Sequence, residues 1–160
     1  MPIHPRAGKP VEATDLINVP KLISHYYSLE PDLELDSQKV SFGTSGHRGS
    51  SSQKTFNEMH ILAIAQAICD YRRCNGVDGP LFLGRDTHAL SECAYNTTLE
   101  VLVANGVQVK VDNDHNYVPT PVISHAIVSY NRANDDMADG IVITPSHNPP
   151  QDGGIAKNLQ

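Results

Sequence analysis

Ser146 and His147 stand side by side in the run Thr144-Pro145-Ser146-His147-Asn148-Pro149. A hydroxyl next to an imidazole is the pairing from which a nucleophile and its acid or base are made. Pro145 and Pro149 each lock one φ and push the preceding residue to extended geometry, which makes the loop stiff. Neighbours in an extended chain point opposite ways, so only a loop can bring both side chains to one site. The competing reading is a serine that stabilises a turn. The G-x-S-x-G elbow is absent, which argues against an α/β-hydrolase.

Two further stretches carry polar groups of the same kind. Gly43-Thr44-Ser45-Gly46-His47-Arg48-Gly49 is followed by three serines. Glycines let backbone N–H groups face an anion, and Arg48 offers a two-pronged grip on phosphate. An ordinary glycine-rich turn is the alternative. Arg85-Asp86-Thr87-His88 leaves the apolar run Leu81-Phe82-Leu83-Gly84. Eight histidines invite a zinc reading, but no H-E-x-x-H and no C-x-x-C is present. His25 and His60 read as surface or half-buried helix positions. Asp112-Asn113-Asp114-His115-Asn116 lacks the twelve-residue calcium pattern. The GxGxxG fingerprint and the Walker A lysine are also missing, so nucleotide binding is not supported.

The elements that must position these residues follow from periodicity. Asn18 caps a helix near 19–28, with Pro20 in its first turn and Leu22, Ile23, Tyr26 and Tyr27 along one stripe. Val40-Ser41-Phe42 is a short strand candidate. Asn57 caps a long helix whose apolar face includes Ile61, Ile64, Ala65 and Ile68, and Asn75-Gly76 closes it. Leu81–Leu83 reads as a buried strand. Ser91 caps the next helix, which Asn105-Gly106 ends; Val107, Val109 and Val111 alternate as a strand. Ile123, Ile127 and Val128 predict a helix to about Asn131, and Ile141–Ile143 is the final strand. Strand and helix alternate throughout, which argues for an α/β fold with a largely parallel sheet. Ligands bind at the carboxyl ends of such strands, and the three polar loops all follow predicted strands.

Composition narrows the functional classes. The chain has 160 residues, 39% hydrophobic and 19% charged, with a formal charge of -6. That charge argues against nucleic acid as a partner, and Arg72-Arg73 reads as a solvated helix end. No apolar run approaches the ~20 residues of a membrane span, so no membrane partner is expected. The N-terminus has no apolar signal core, and Cys69, Cys74 and Cys93 are odd in number; both point to a reduced, cytoplasmic setting.

Taken together, Phe42-Gly43-Thr44-Ser45-Gly46-His47-Arg48-Gly49, Gly84-Arg85-Asp86-Thr87-His88 and Asp139 to Pro149 resemble the α-D-phosphohexomutase family, its bacterial phosphoglucomutases in particular. Thr-x-Ser-His-Asn-Pro is the family's signature, and the match runs from Ile3 to about Ile155. The resemblance implies a single three-layer α/β domain with a mostly parallel mixed sheet flanked by helices. An N-terminal arm and helix would span 1–38, the phosphohexomutase domain 39–155 and a divergent tail 156–160. It implies that Ser146 is the phosphoserine that interconverts glucose 1-phosphate and glucose 6-phosphate through a bisphosphorylated sugar, with glucose 1,6-bisphosphate as activator. His147 would be an acid/base or positioning group, and Arg48 and Ser45 would bind phosphate. Arg85 and Asp86 would border the site. One oxygen of the Ser146 phosphate would ligate Mg²⁺.

Two departures accompany the match. Family members have four domains, and the aspartate-rich magnesium loop and the sugar-recognition loops lie outside the first; Asp152 alone does not replace them. The family runs Gly-Gly-Ile-Lys, whereas this chain runs Gly153-Gly154-Ile155-Ala156-Lys157. A one-residue shift in a strand turns a side chain to the other face, so the lysine's role is not carried to Lys157. A truncated or frameshifted gene would leave such a tail. The expected fragment is inactive alone, carries an uncovered interdomain face that drives self-association, and has a non-catalytic relic or interaction module as the alternative.

Overall fold

Two apolar stripes on one sheet decide the architecture. In the computed structural model, which describes residues 5–43 and 46–158, five strands order as β1-β5-β4-β2-β3. The strands are β1 (His47–Ser50), β2 (Leu81–Arg85), β3 (Val109–Lys110), β4 (Asp139–Ile143) and β5 (Asp152–Asn158). β3, β2 and β4 pair in parallel; β5 runs antiparallel to β4, and β1 antiparallel to β5. The helices are α1 (Val19–Ser28), α2 (Glu58–Asn75), α3 (Ser91–Ala104) and α4 (Thr120–Ala133).

Alternation along each strand sorts side chains between two helical layers. Leu81, Leu83, Ile141, Ile143 and Ile155 are buried with Leu22 and Tyr26 of α1, Ile61, Ile64 and Ile68 of α2, and Ala94, Tyr95 and Leu102 of α3. Phe82 and Val142 face the opposite way, onto Ile123 and Ile127 of α4. Gly140 lets α4 come close. A Cβ there would stand 2.8 Å from Ile127 Cδ1 and 2.9 Å from Ile123 Cγ2. The result is the three-layer α/β domain with a mixed sheet that the family resemblance implies.

Helix ends follow the sequence signals closely. Asn18 Oδ1 accepts from Lys21 N–H at 3.0 Å, and Pro20 sits in the first turn of α1. Gly76 takes φ 63° at the end of α2, a left-handed position that favours glycine. His60 is buried rather than at the surface. Its Nδ1 accepts from Asn57 N–H at 3.1 Å, and its ring stacks on His47 at 5.2 Å. Burial holds His47 below the usual imidazole range.

Four expectations need correction. Val40–Phe42 is not a strand: Ser41 N–H meets His47 Nδ1 at 3.2 Å, Gly43 N–H meets Gly46 O at 2.9 Å, and Phe42 is 54% exposed. The edge strand is His47–Ser50 instead, so the glycine motif leads into an antiparallel strand rather than leaving a parallel one. Ser91 does not cap α3; it lies inside the helix and turns its hydroxyl to Asp86. Ile141–Ile143 is not the final strand: β5 follows it and continues through Asn158.

One buried ion pair fastens α2 to the start of β4. Arg72 Nη1 bonds Asp139 Oδ1, with about 5% and 4% of the side chains exposed. Asp139 Oδ2 is buried without a hydrogen bond, 4.0 Å from Lys157 Nζ. Arg72 is therefore a structural residue, not a solvated helix end.

Candidate active site

The carboxyl end of β4 delivers the chain to an exposed apex. Ser146 adopts φ 65°, unusual for a residue with a Cβ and worth of order 1–2 kcal/mol of strain. Three local bonds hold it there. Ser146 N–H donates to Thr144 Oγ1 at 2.9 Å, Thr144 N–H donates to Gly154 O at 2.8 Å, and Asn148 N–H closes a turn onto Pro145 O at 3.4 Å. Pro145 is buried, whereas Ser146 and His147 are exposed. Gly154 makes the docking possible. A Cβ there would stand 2.3 Å from Thr144 O and 2.6 Å from Pro145 Cα.

The left-handed turn does what a strand forbids and brings neighbouring side chains together. Ser146 Oγ lies 3.3 Å from His147 Nδ1. Arg48 reaches the same loop from β1, where its Nη1 donates to Asn148 Oδ1 at 3.2 Å. Asn148 in turn donates to Asp152 Oδ2 at 3.0 Å. Ser146, His147 and Arg48 thus share one loop surface. Ser45 lies outside the described residues.

Asp86 and Arg85 separate. Asp86 N–H donates to Ile143 O at 3.0 Å, which places the residue beside the Ser146 loop. Its carboxylate accepts from Ser91 Oγ at 2.6 Å, His88 N–H at 2.9 Å and His88 Nδ1 at 2.8 Å. Burial pushes its pKa up, but these donors together outweigh burial and hold it below the usual carboxylate value. Arg85 turns to the α3 side of the sheet. Its Nη2 donates to His115 O at 2.8 Å and meets Glu92 Oε2 at 3.0 Å, and its guanidinium lies over Tyr95 at 4.7 Å and near Tyr117 at 5.5 Å. Thr144, His88, Ser91 and Asn148 complete the network without having been given a role from sequence. His88 two residues after Asp86, and a Thr and an Asn flanking Ser146, were the available signals.

Lys157 faces the α2 layer together with Ile155. Its ammonium lies 3.9 Å above the Tyr71 ring, and burial lowers its pKa despite nearby Asp139. The preceding position, Ala156, is on the opposite face.

Magnesium does not fit the donor set that is present. Mg²⁺ demands near-octahedral oxygen coordination. Around Ser146 both oxygens of Asp86 and Oδ2 of Asp152 accept hydrogen bonds, and among the described residues no group of three or more His, Cys, Asp or Glu could hold a metal. A shallow concavity of about 460 Å³ adjoins this site, lined in part by Thr87, His88 and Pro150.

Comparison with known proteins identifies the family and the fold. Residues 39–160 match the family model described as phosphoglucomutase/phosphomannomutase, alpha/beta/alpha domain I. The chain is 58% identical over 157 residues to a phosphoglucomutase of Komagataeibacter xylinus, covering 98% of this chain and 28% of that protein. Parafusin, a phosphoglucomutase from Paramecium solved in an open form, superposes with a TM-score of 0.65 at 28% identity, over 81% of this chain and 23% of that one. A phosphoglucomutase/phosphomannomutase family protein from Burkholderia thailandensis gives a TM-score of 0.58 at 27% identity, over 72% and 25% of the two chains. The chain spans about a quarter of the length of these relatives. It belongs to the phosphoglucomutase/phosphomannomutase family, whose α/β/α domain I it carries.

Proposed function

We propose that Ser146 is a phosphoryl carrier of a phosphoglucomutase-type reaction on glucose phosphates. The observation that supports this most strongly is the strained Ser146 at φ 65°, whose exposed hydroxyl stands 3.3 Å from His147 Nδ1. Strain of this kind persists only where the surroundings enforce it. In the forward half-reaction Ser146 Oγ attacks phosphorus of glucose 1,6-bisphosphate. His147 takes the serine proton, the phosphorus–sugar oxygen bond breaks, and the leaving sugar oxygen takes a proton from water, to which His147 then returns its own. The products are phosphoserine and a glucose monophosphate. The reverse step returns the phosphoryl group to either end of the sugar, which interconverts glucose 1-phosphate and glucose 6-phosphate.

Phosphoryl transfer asks a protein mainly for positioning and charge neutralisation. Arg48, one hydrogen bond from the loop, supplies positive charge to a phosphorylated Ser146. Family membership implies magnesium; its ligands beyond the Ser146 phosphate would come from outside these residues, so no step is derived through it. The substrate is a phosphosugar, the setting cytoplasmic, and sustained turnover requires further domains of the family. Incubation with glucose 1,6-bisphosphate tests the reading. It predicts about one equivalent of glucose monophosphate per chain, abolished in Ser146→Ala, with at most trace turnover. No release by the unmutated chain refutes it. A non-catalytic module is the second reading, favoured by Lys157, whose ammonium is held by Tyr71 and Asp139 in the α2 layer.

A further inference from the structure

The mechanism leaves one polar cluster unused. His88 sits between two groups that only accept hydrogen bonds: Asp86 Oδ2 lies 2.8 Å from Nδ1, and the carbonyl oxygen of Asn148 lies 3.2 Å from Nε2. The carboxylate can only accept, so Nδ1 is the donor to Asp86, and the ring spans the gap from the end of β2 to the Ser146 loop. Asp86 N–H donates to Ile143 O at 3.0 Å, and Thr144 Oγ1, next in the chain, accepts the Ser146 N–H. The loop is therefore held at Ile143, three residues before the serine, and at Asn148, two residues after it. Both attachments return to Asp86.

We infer that Asp86 and His88 form a clasp that fixes both flanks of Ser146, with His88 a positioning residue that ties the Asn148 carbonyl to the Asp86 carboxylate. This rests on the reading of Ser146 as phosphoryl acceptor. The charged neighbours are consistent with it. Asp86 faces the ring from the end of β2, Asp152 and Arg48 bond the Asn148 side chain, and Ile17, Val19 and Pro150 line the same concavity. Ser91 Oγ, 2.6 Å from Asp86 Oδ1, fixes the carboxylate to α3, so the loop takes its position from a rigid helix.

The first test reads the ring directly. Nitrogen-edited NMR of the labelled 160-residue chain, assigned by signal loss in His88→Gln, is expected to show a proton on Nδ1, the donor to Asp86, protected from exchange with water. A bare Nδ1 overturns the clasp. The second test reads positioning. His88→Ala is expected to slow Ser146 phosphorylation by glucose 1,6-bisphosphate about 10- to 100-fold, the scale of an ångström-sized misplacement. His88→Gln, which keeps a donor for Asn148, recovers part of that loss at the same melting temperature. Equal rates in all three chains overturn the clasp. If His88→Ala does not fold, the ring protonation of the unmutated chain decides. If the unmutated chain accepts no phosphoryl group, the phosphoryl-carrier reading fails, and the NMR result still judges the clasp.

Discussion

Gly154→Ala separates the placing of the Ser146 loop from the stability of the domain. The added Cβ would stand 2.3 Å from Thr144 O, 2.6 Å from Pro145 Cα and 2.7 Å from Pro145 N, all backbone atoms that no rotamer change can remove. Ordinary contact begins at 3.4 Å, so the loop must retreat by about 1 Å. Overpacking of this size costs about 1–3 kcal/mol, and a misplacement near 1 Å costs roughly 10²-fold in rate. The comparison is Gly140→Ala. Its Cβ meets Ile127 Cδ1 at 2.8 Å and Ile123 Cγ2 at 2.9 Å, on the α4 face. Both variants lower stability by a similar amount in urea titration, but only Gly154→Ala loses phosphorylation of Ser146 by glucose 1,6-bisphosphate. Equal phosphorylation rates in the two variants would show that the loop's docking on β5 does not place the serine.

Three further outcomes are expected. Arg72→Met leaves Asp139 buried without its partner and costs about 3–5 kcal/mol; at roughly 2–4 °C per kcal/mol the melting temperature shows it, and a loss under 1 kcal/mol counts against the pair. Asp86 is held below its usual value of 3.8, so its contribution to stability is full above that value and disappears as pH falls through the lower folded value; acid titration of stability in Asp86→Asn should lack that segment, and an identical profile contradicts it. Phe42, Tyr71 and Val40, 54%, 44% and 41% exposed, rim an apolar groove of about 430 Å³ on α2; light scattering should show concentration-dependent self-association, which a constant monomer mass refutes.

Much of the fold was legible because its signals are local. Asn18 with Pro20, and Gly76 after Asn75, mark helix ends by backbone chemistry that needs no tertiary partner. The runs Leu81–Leu83 and Ile141–Ile143 announce strands buried on both faces. β1 and β5 were hidden for the opposite reason. His47-Arg48-Gly49-Ser50 and Asp152-Gly153-Gly154 carry no apolar alternation, and only their pairing makes them strands. Glycine in them marks close approach, by Phe56 at Gly153 and by Pro145 at Gly154. The apex was legible from two prolines around Ser146 and His147. The clasp was not, since the Asp86 carboxylate, the Ser91 hydroxyl and the Asn148 carbonyl that His88 reaches come from separate elements. Arg85 shows the limit of a motif: its neighbour Asp86 reaches the loop, while the alternation of β2 sends Arg85 to Tyr95 and Glu92.

The measurement that bears most directly on the central claim is peptide mapping of the chain after incubation with glucose 1,6-bisphosphate. A single added phosphoryl group on Ser146, absent in Ser146→Ala and retained in Gly140→Ala, is the predicted result. An unmodified Ser146 in the folded, unmutated chain, or a phosphoryl group on another residue, contradicts the account.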